Sequence, residues 1–182
     1  EAMALSLGEY YRYMTRTDKD MVPLRSELDL IRNYVSILNL RKPRIDYVAD
    51  IDEELMDLDI PRLLLQPLVE NAVQHGIEPK TGRGTLRITG RRHTDGFVLA
   101  VEDDGVGMTD ETLSRLRGEL KGPKSEEGGY GVWNVKQRFV RKFGPGAVVE
   151  IDSKPGEGTT VTLRCDFRSQ EGSPHDDSAS GR

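Results

Sequence analysis

Apolar residues near the start of the chain recur at alternating steps of four and three positions. They are Leu24, Leu28, Ile31, Val35 and Leu38. This spacing predicts a helix with a narrow apolar seam, which suits packing against another helix, either within this chain or across a dimer. A shorter helical stretch over 5–14 and a turn at 18–20 come before it. We therefore expect residues 1–42 to form a helical segment of two helices joined by a short turn.

After Pro43 the pattern changes to a period of two residues, which is typical of a strand with one buried face. Alternating runs occur at 45–49, at 85–102 around a turn at 94–96, and at 148–165 around a turn at 154–158. The last residues are almost entirely polar and cannot bury enough apolar surface to fold. We expect one domain over 43–167 and a disordered tail over 168–182.

The stretch 65–76 combines an apolar stripe with a polar edge, which predicts a helix that begins near Pro61 and kinks or restarts at Pro67. Asn71 lies on the polar edge. Asparagine is a mediocre helix former, so its amide oxygen either binds a ligand here or is simply exposed. Magnesium is one candidate, because it takes only one or two protein oxygens beside the phosphates of a nucleotide. The apolar stripe comprises Leu64, Leu68 and Ala72.

Glycines cluster at two further points. Asp103 ends a predicted strand and is followed by Gly105 and Gly107. Glycines let the backbone approach a flat ligand, and the carboxylate can accept a hydrogen bond from an exocyclic amine. Gly129 and Gly131 precede a predicted helix, whose free N–H groups and dipole favour phosphate. The acidic glycine turn is weak evidence alone, because such turns are common. The phosphate corner needs help from a cation, because each exposed contact there contributes only about 0.3–1 kcal/mol.

Composition narrows the classes of function. The chain has 182 residues, 36% of them hydrophobic, and a net charge of -5. The lack of a basic run argues against binding to nucleic acid, and no apolar run approaches the roughly 18 residues that span a bilayer, so we expect no membrane contact by this chain. The single cysteine, Cys165, lies in an alternating run and is predicted to be a buried strand residue. The three histidines, His75, His93 and His175, are too scattered to ligate zinc.

The order of these motifs resembles the ATP-binding domain of the GHKL superfamily of histidine kinases, gyrase-type ATPases and Hsp90-type chaperones. Residues 65–76 look like the N box of LytS/YesM-type sensor histidine kinases. The first glycine box is matched by 103–107, the second by 129–135 and the last by 156–159. Residues 28–41 resemble the segment that precedes the ATP-binding domain in that subgroup.

The resemblance implies an α+β fold, a two-layer sandwich in which helices cover one face of a mixed, mostly antiparallel sheet. It also implies that ATP and Mg²⁺ bind beneath a lid formed by roughly 108–128. The implied roles are Asn71 as magnesium ligand, Asp103 for the adenine amine, Gly105 and Gly107 for space beside the adenine, Thr159 for the same edge of the base, His75 for filling space beside phosphate, and Gly129 and Gly131 for the phosphates.

For this family the implied reaction is phosphoryl transfer from ATP to a histidine and then to an aspartate of a response regulator, within a homodimeric kinase. Pro67 stands where hydrolytic relatives carry a carboxylate base, which favours transfer over hydrolysis. Glu70 could orient a nucleophile or simply be a solvated carboxylate. Gln74 replaces the phosphate-contacting lysine of many relatives. Possible basic substitutes, each more simply interpreted as a surface charge, are Lys80, Arg83, Lys124 and Arg138.

The subgroup's phosphoacceptor histidine lies in an Asn-Pro-His-Phe type sequence on an upstream helix, and no such sequence occurs here. We therefore interpret the chain as the cytoplasmic catalytic end of a longer, membrane-anchored kinase, beginning late in its dimerisation helices. Two other hypotheses stay open. One is a hydrolytic or serine-directed GHKL enzyme, and the other is a dimerisation and sensing module that binds nucleotide poorly or not at all.

Overall fold

The computed structural model describes residues 20–122 and 130–167. The predicted helix over 5–14, the polar tail, Lys124 and Gly129 lie outside the described residues. The elements are β1 (Met21–Pro23), α1 (Leu24–Arg41), β2 (Ile45–Ile51), β3 (Asp59–Pro61), α2 (Gln66–Asn71), β4 (Gly84–His93), β5 (Gly96–Asp103), α3 (Asp110–Lys121), α4 (Tyr130–Phe143), β6 (Ala147–Lys154) and β7 (Gly158–Asp166). Short 3-10 helices lie at Glu53–Leu55 and Gly144–Gly146.

Five strands form one mixed sheet in the order β2, β4, β5, β7, β6. β2 runs parallel to β4, and the other neighbours are antiparallel. The two predicted hairpins, β4 with β5 and β6 with β7, are thereby confirmed. Their register places Asp103 of β5 opposite Thr159 of β7. Two of the predicted site residues are therefore neighbours at the same end of the sheet.

The sheet has one apolar and one polar face. All four helices contribute side chains to the core on the apolar face, which confirms the predicted two-layer α+β fold. The polar face carries ion pairs such as Arg164 with Glu150 and Arg91 with Asp50. Ala49, predicted to be buried, is exposed, because β2 is an edge strand. Buried strand residues of the apolar face include Leu86, Ile88, Phe97, Leu99, Val101, Ile151, Val161 and Leu163.

The apolar seam of α1 packs within this chain. Its first four positions are buried in the same core as the sheet, and Leu38 packs against that core. One turn of the helix also buries a charged residue, Glu27, which the pattern of apolar residues did not predict. The boundary at residue 42 stays a prediction, since α1 and the sheet share one core. The four buried positions are Leu24, Leu28, Ile31 and Val35.

The helix that carries Asn71 begins later than predicted. Pro61 ends β3, which pairs with β1 in a small two-stranded sheet that the sequence did not predict. The helix starts at Gln66, so Pro67 lies in its first turn, where a missing N–H leaves no hydrogen bond unmade. Of the two predicted options, a kink or a restart, the structure has the start of a helix. From Ala72 to Ile77 it continues as a π-helix.

Aromatic rings close the end of the core that is opposite the Asp103 end of β5. Phe97 lies at the start of β5, and its ring centroid is 5.1 Å from that of Phe143 and 6.1 Å from those of Phe139 and Phe167. Cys165 is buried in β7, as predicted. Among the helices of residues 20–122 and 130–167, none is long and apolar enough to cross a membrane.

Candidate functional site

A cavity of about 460 Å³ opens between α2, α3, the start of α4 and the ends of β5 and β7. Its size is in the range of small-molecule sites. Gly105 and Glu70 do not line it, and Gly129 lies outside the described residues. The predicted site residues that line it are Asn71, His75, Asp103, Gly107, Gly131 and Thr159. The structure therefore brings six of the nine predicted residues together around one space.

Asn71 stands where the α-helix changes into the π-helix. Such a change within a helix is rare and frequently marks a functional site. Its amide lies beside Gly131, where an added Cβ would come within 2.8 Å of the amide nitrogen. Among the described residues the amide has no recorded hydrogen-bond partner, so it is available to a ligand. A side chain at position 131 would therefore displace the amide of Asn71.

A magnesium ion fits this donor set only as part of a larger complex. Within the part of the chain that the structure describes, no group of three or more His, Cys, Asp or Glu side chains could hold a metal ion. Magnesium keeps several waters and uses one or two protein oxygens together with substrate phosphates. The amide of Asn71 at the cavity wall meets that requirement.

Asp103 is a buried carboxylate at the end of β5. Its Oδ1 accepts a hydrogen bond from the backbone N–H of Gly105 at 2.8 Å. Burial raises its pKa to about 6, although the Gly105 N–H favours the charged form and offsets part of the effect. Gly76 lies against the carboxylate so closely that an added Cβ would overlap it. The closing glycine of the helical stretch 65–76 thus makes room for Asp103, a role that sequence reasoning missed.

The glycine turn packs against the same helix. An added Cβ on Gly105 would overlap the backbone of Gly76, and the N–H of Val106 donates to the Gly76 carbonyl at 3.0 Å. Gly105 therefore supports the cavity wall without lining it. Gly107 does line the cavity, with a φ of +66° that favours glycine, and it lies against the carbonyl of Lys154.

Hydroxyl groups join this turn to the β6–β7 hairpin. Ser153 Oγ accepts from the N–H of Met108 at 2.9 Å, donates to the carbonyl of Gly158 at 2.7 Å, and lies 2.9 Å from Thr159 Oγ1. Because the single Ser153 proton is used on Gly158, the Thr159 hydroxyl donates to Ser153. Its own lone pairs are then left to accept a hydrogen bond at the cavity wall. Ser153 precedes the hairpin glycines and carried no motif that would have identified it.

The chain is similar to known proteins in sequence and in fold. The family of histidine kinase-, DNA gyrase B- and HSP90-like ATPases matches residues 56–169, and a histidine kinase family matches residues 1–45. The chain belongs to the first of these families. It is 32% identical to the sensor histidine kinase YesM of Bacillus subtilis over 169 residues, which are 92% of this chain and 28% of that protein. Its likeness to the YesM-type kinases agrees with the resemblance of its motifs.

A second relative is the sensor protein kinase HptS of Staphylococcus aureus, 30% identical over 165 residues, which are 90% of this chain and 32% of that protein. The chain thus spans about a third or less of these two relatives. The histidine kinase domain of the Erythrobacter litoralis EL346 blue-light activated histidine kinase has the same fold, with a TM-score of 0.56 and 20% identity over 93% of this chain and 75% of that chain. The chain carries a histidine kinase catalytic domain.

Helix α3 forms one wall of the cavity in this catalytic domain. Thr112, Arg115 and Leu116 line the space. The helix is held in place by Leu113 and Leu120, which are buried in the core. Further support comes from Arg117 Nε, which donates to the Ile151 carbonyl at 2.9 Å, and from Lys136, which donates to the Leu120 carbonyl. The resemblance implied a lid over roughly 108–128. The part of this stretch that the structure describes is mainly α3, which packs against the core.

Three of the four basic residues proposed to replace the missing lysine at Gln74 are described by the structure, and none of the three lines the cavity. Lys80 pairs with Asp104 at 3.0 Å, Arg83 pairs with Asp46, and Arg138 donates to the carbonyl of Arg62 at 3.1 Å. Lys124 is outside the described residues. Among the described cations, Arg115 lines the cavity, and it also pairs with Glu119. Its place in a polar amphipathic helix gave no signal that distinguished it from neighbouring arginines.

Glu70 follows Gln66 by one helical turn and does not line the cavity. Its carboxylate accepts a hydrogen bond from Gln66 Nε2 at 3.1 Å. Burial and the nearby charge of Glu70 raise the pKa of Tyr34, in α1, to about 12. The charge of Glu70 therefore acts on α1, and its catalytic role stays a prediction.

Proposed function

We propose that this domain binds ATP and Mg²⁺ in the cavity and transfers the γ-phosphoryl group to a histidine, for relay to a response regulator on the cytoplasmic side of a membrane-anchored kinase. One observation carries the proposal. Asn71 from a helix and Asp103 from the end of a strand, far apart in sequence, line the same cavity.

The residues divide the cavity into two halves. In the adenine half, Asp103 accepts the exocyclic amine, while Thr159 offers its lone pairs and Gly107 leaves room for the base. In the phosphate half, Asn71 supplies the amide oxygen that would hold Mg²⁺, and Gly131 belongs to the first turn of α4, whose N–H groups and dipole favour anions. When bound, Mg²⁺ would neutralise charge on the phosphates. We place Gly129 in this half as well, on the motif alone.

Transfer is favoured over hydrolysis by what stands near Asn71. Pro67, one turn earlier, has no carboxylate to activate a water molecule. Phosphoryl transfer depends mainly on positioning and on neutralisation of charge. A rigid helix that carries an amide oxygen can provide the positioning, and a bound Mg²⁺ would supply the neutralisation. His75 lines the cavity from the same helix as Asn71, and we assign it to contact with the nucleotide. The acceptor is then a histidine on the dimerisation helices of the kinase.

Calorimetric titration with ATP, in the presence and absence of Mg²⁺, tests the site. Asn71→Ala and Asp103→Ala should each weaken Mg-ATP binding by at least about tenfold, or ~1.4 kcal/mol, because each removes one contact. Gln137→Ala and Asp46→Ala change an exposed glutamine and an exposed aspartate, neither of which lines the cavity, and both variants should bind like the wild type. Unchanged affinity in both site variants would refute the assignment. Failure of the wild type to bind Mg-ATP would favour the non-catalytic module.

Transfer is tested with γ-labelled ATP. The chain alone should not label itself stably, but it should label a separate polypeptide that carries the histidine-bearing helix of a YesM-type kinase. Stable self-labelling would contradict the proposal. Steady release of phosphate without a histidine acceptor would instead indicate a hydrolytic enzyme.

A further inference from the structure

A buried carboxylate of α1 holds the loop from which the Asn71 helix starts. The side chain of Glu27 is fully buried. Its Oε1 accepts from the backbone N–H of Leu63 at 2.6 Å, and its Oε2 accepts from the N–H of Leu65 at 3.3 Å. A buried acidic group requires partners of this kind, because an unpaired charge in the core is very costly. Both carboxylate oxygens therefore hold backbone N–H groups of the short loop 62–65, which precedes Gln66.

The loop adopts a strained conformation at the point that Glu27 holds. Leu63 has a φ of +56° and is the non-glycine residue with positive φ in the described part of the chain. A left-handed leucine costs about 1–2 kcal/mol, and such strain persists only where the surroundings enforce it. The hydrogen bond from its own N–H to Glu27 is the contact that fixes this turn.

The same junction contacts the helix that carries Gly131. Arg138 of α4 donates from Nη1 to the carbonyl of Arg62, next to Leu63. Burial lowers the pKa of Arg138, and the charge of Glu27 opposes that change. Glu27 therefore acts on the start of α2 through backbone hydrogen bonds and on α4 through its charge. These are the two helices that bring Asn71 and Gly131 together.

The adenine half of the cavity is held by other contacts. Asp103 is fixed by the N–H of Gly105, and Thr159 is fixed by Ser153. Neither contact involves α1 or the loop at 62–65. A change at Glu27 should consequently reach one half of the cavity and spare the other.

We propose that Glu27 is a positioning residue for the phosphate half of the nucleotide site. It fixes the left-handed turn at Leu63, and this turn sets where α2 begins and how its Asn71 lies against Gly131. The inference rests on the proposed function, because it assumes that Asn71 and Gly131 form the Mg-phosphate half.

The test compares two probes on the whole chain. Glu27→Gln keeps the size of the side chain but replaces one acceptor oxygen by an NH₂ group. We expect its affinity for Mg-ATP to fall at least tenfold, while adenosine, titrated by NMR, binds within twofold of the wild type. Glu150→Gln, on the exposed polar face of the sheet, is the matched control and should change neither value. An equal loss for both probes, or no loss for either, would overturn the inference.

A second variant tests whether Glu27 acts on the phosphate half through the turn at Leu63. Glycine adopts the left-handed conformation without strain, so adding Leu63→Gly to Glu27→Gln should restore most of the Mg-ATP affinity. No recovery would overturn the role given to the turn. If Glu27→Gln does not fold, Glu27→Asp keeps the charge but shortens the reach, and the same unequal loss is expected from it, with an equal loss again contradicting the inference. A wild type that binds Mg-ATP no better than adenosine would refute the proposed function instead.

Discussion

The two ends of strand β5 and helix α4 differ sharply, although the same two elements form both. At one end Phe97 of β5 makes edge-to-face contacts with Phe139 and Phe143 of α4, and the rings of these two residues are tilted against each other. At the other end Asp103 of β5 and Gly131 of α4 face the cavity. Side chains that fill space lie at the first end, and residues that leave space lie at the second.

This difference separates stability from binding along a single pair of elements. Buried aromatic rings contribute large apolar areas and favourable ring contacts. The cavity end instead holds a buried carboxylate, glycines in place of larger side chains, and an amide to which none of the described residues forms a hydrogen bond. Each of these features lowers stability or adds nothing to it. We infer that the aromatic end anchors β5 and α4, and that the cavity end can therefore retain groups that suit a ligand.

The largest effect is expected at the aromatic end. Phe139 is fully buried, so Phe139→Ala should lower the free energy of unfolding by about 3–5 kcal/mol, through lost burial and the cavity left behind. The affinity of the remaining folded molecules for Mg-ATP should change less than twofold. Chemical denaturation and calorimetry on the same sample measure the two quantities. A loss of affinity much beyond twofold would show that the two ends are coupled.

At the cavity end, a single methyl group should affect both properties. Gly105→Ala places a Cβ on the backbone of Gly76, so the turn or the helix must shift. We expect about 1–3 kcal/mol of lost stability, as for other overpacked sites, together with weaker Mg-ATP binding. Gly118→Ala is the matched control, because nothing lies within 4 Å of its added Cβ. It should stabilise α3 slightly, by about 0.5–1 kcal/mol. A Gly105 variant that binds normally would contradict the packing role given to this glycine.

The parts of the fold that depend on local pattern were predictable from the sequence. Period-two runs and turn residues predicted both hairpins, and motif order predicted that Asn71, Asp103 and Thr159 would share a site. The π-helix after Asn71 was not predicted. Its residue Gly76 lies against Asp103 and Gly105, which are distant in the chain, so no local pattern reveals these contacts.

The burial of Glu27 is a second feature that could not be predicted from the sequence. The place of Glu27 beside the apolar seam of α1 is typical of a solvated charge. Its burial is made possible by backbone N–H groups of the turn at Leu63, which is distant in sequence. The pairing of β1 with β3 escaped prediction for a similar reason, since three-residue strands have too few positions to show a period. In each case the decisive partner is far away in sequence.

A smaller, pH-dependent effect should distinguish the two ends most cleanly. Folding raises the pKa of Asp103 from 3.8 to about 6, so between these pH values the folded state holds a proton that the unfolded chain has released. Stability should fall as pH rises through this window. One unit of pKa corresponds to about 1.4 kcal/mol, and screening at the open cavity reduces the total to about 1–2 kcal/mol.

Asp103→Asn removes this titration. Any constant cost of the amide cancels when denaturation at pH 4 is compared with denaturation at pH 7.5, so the variant should gain about 1–2 kcal/mol relative to the wild type between the two. At the aromatic end, burial raises the pKa of Cys165 further above this pH range, so the deficit of Phe139→Ala should be the same at both pH values. If the Asp103→Asn difference is equally flat, the carboxylate is not held in a desolvated state, and the cavity end costs the fold less than its geometry implies.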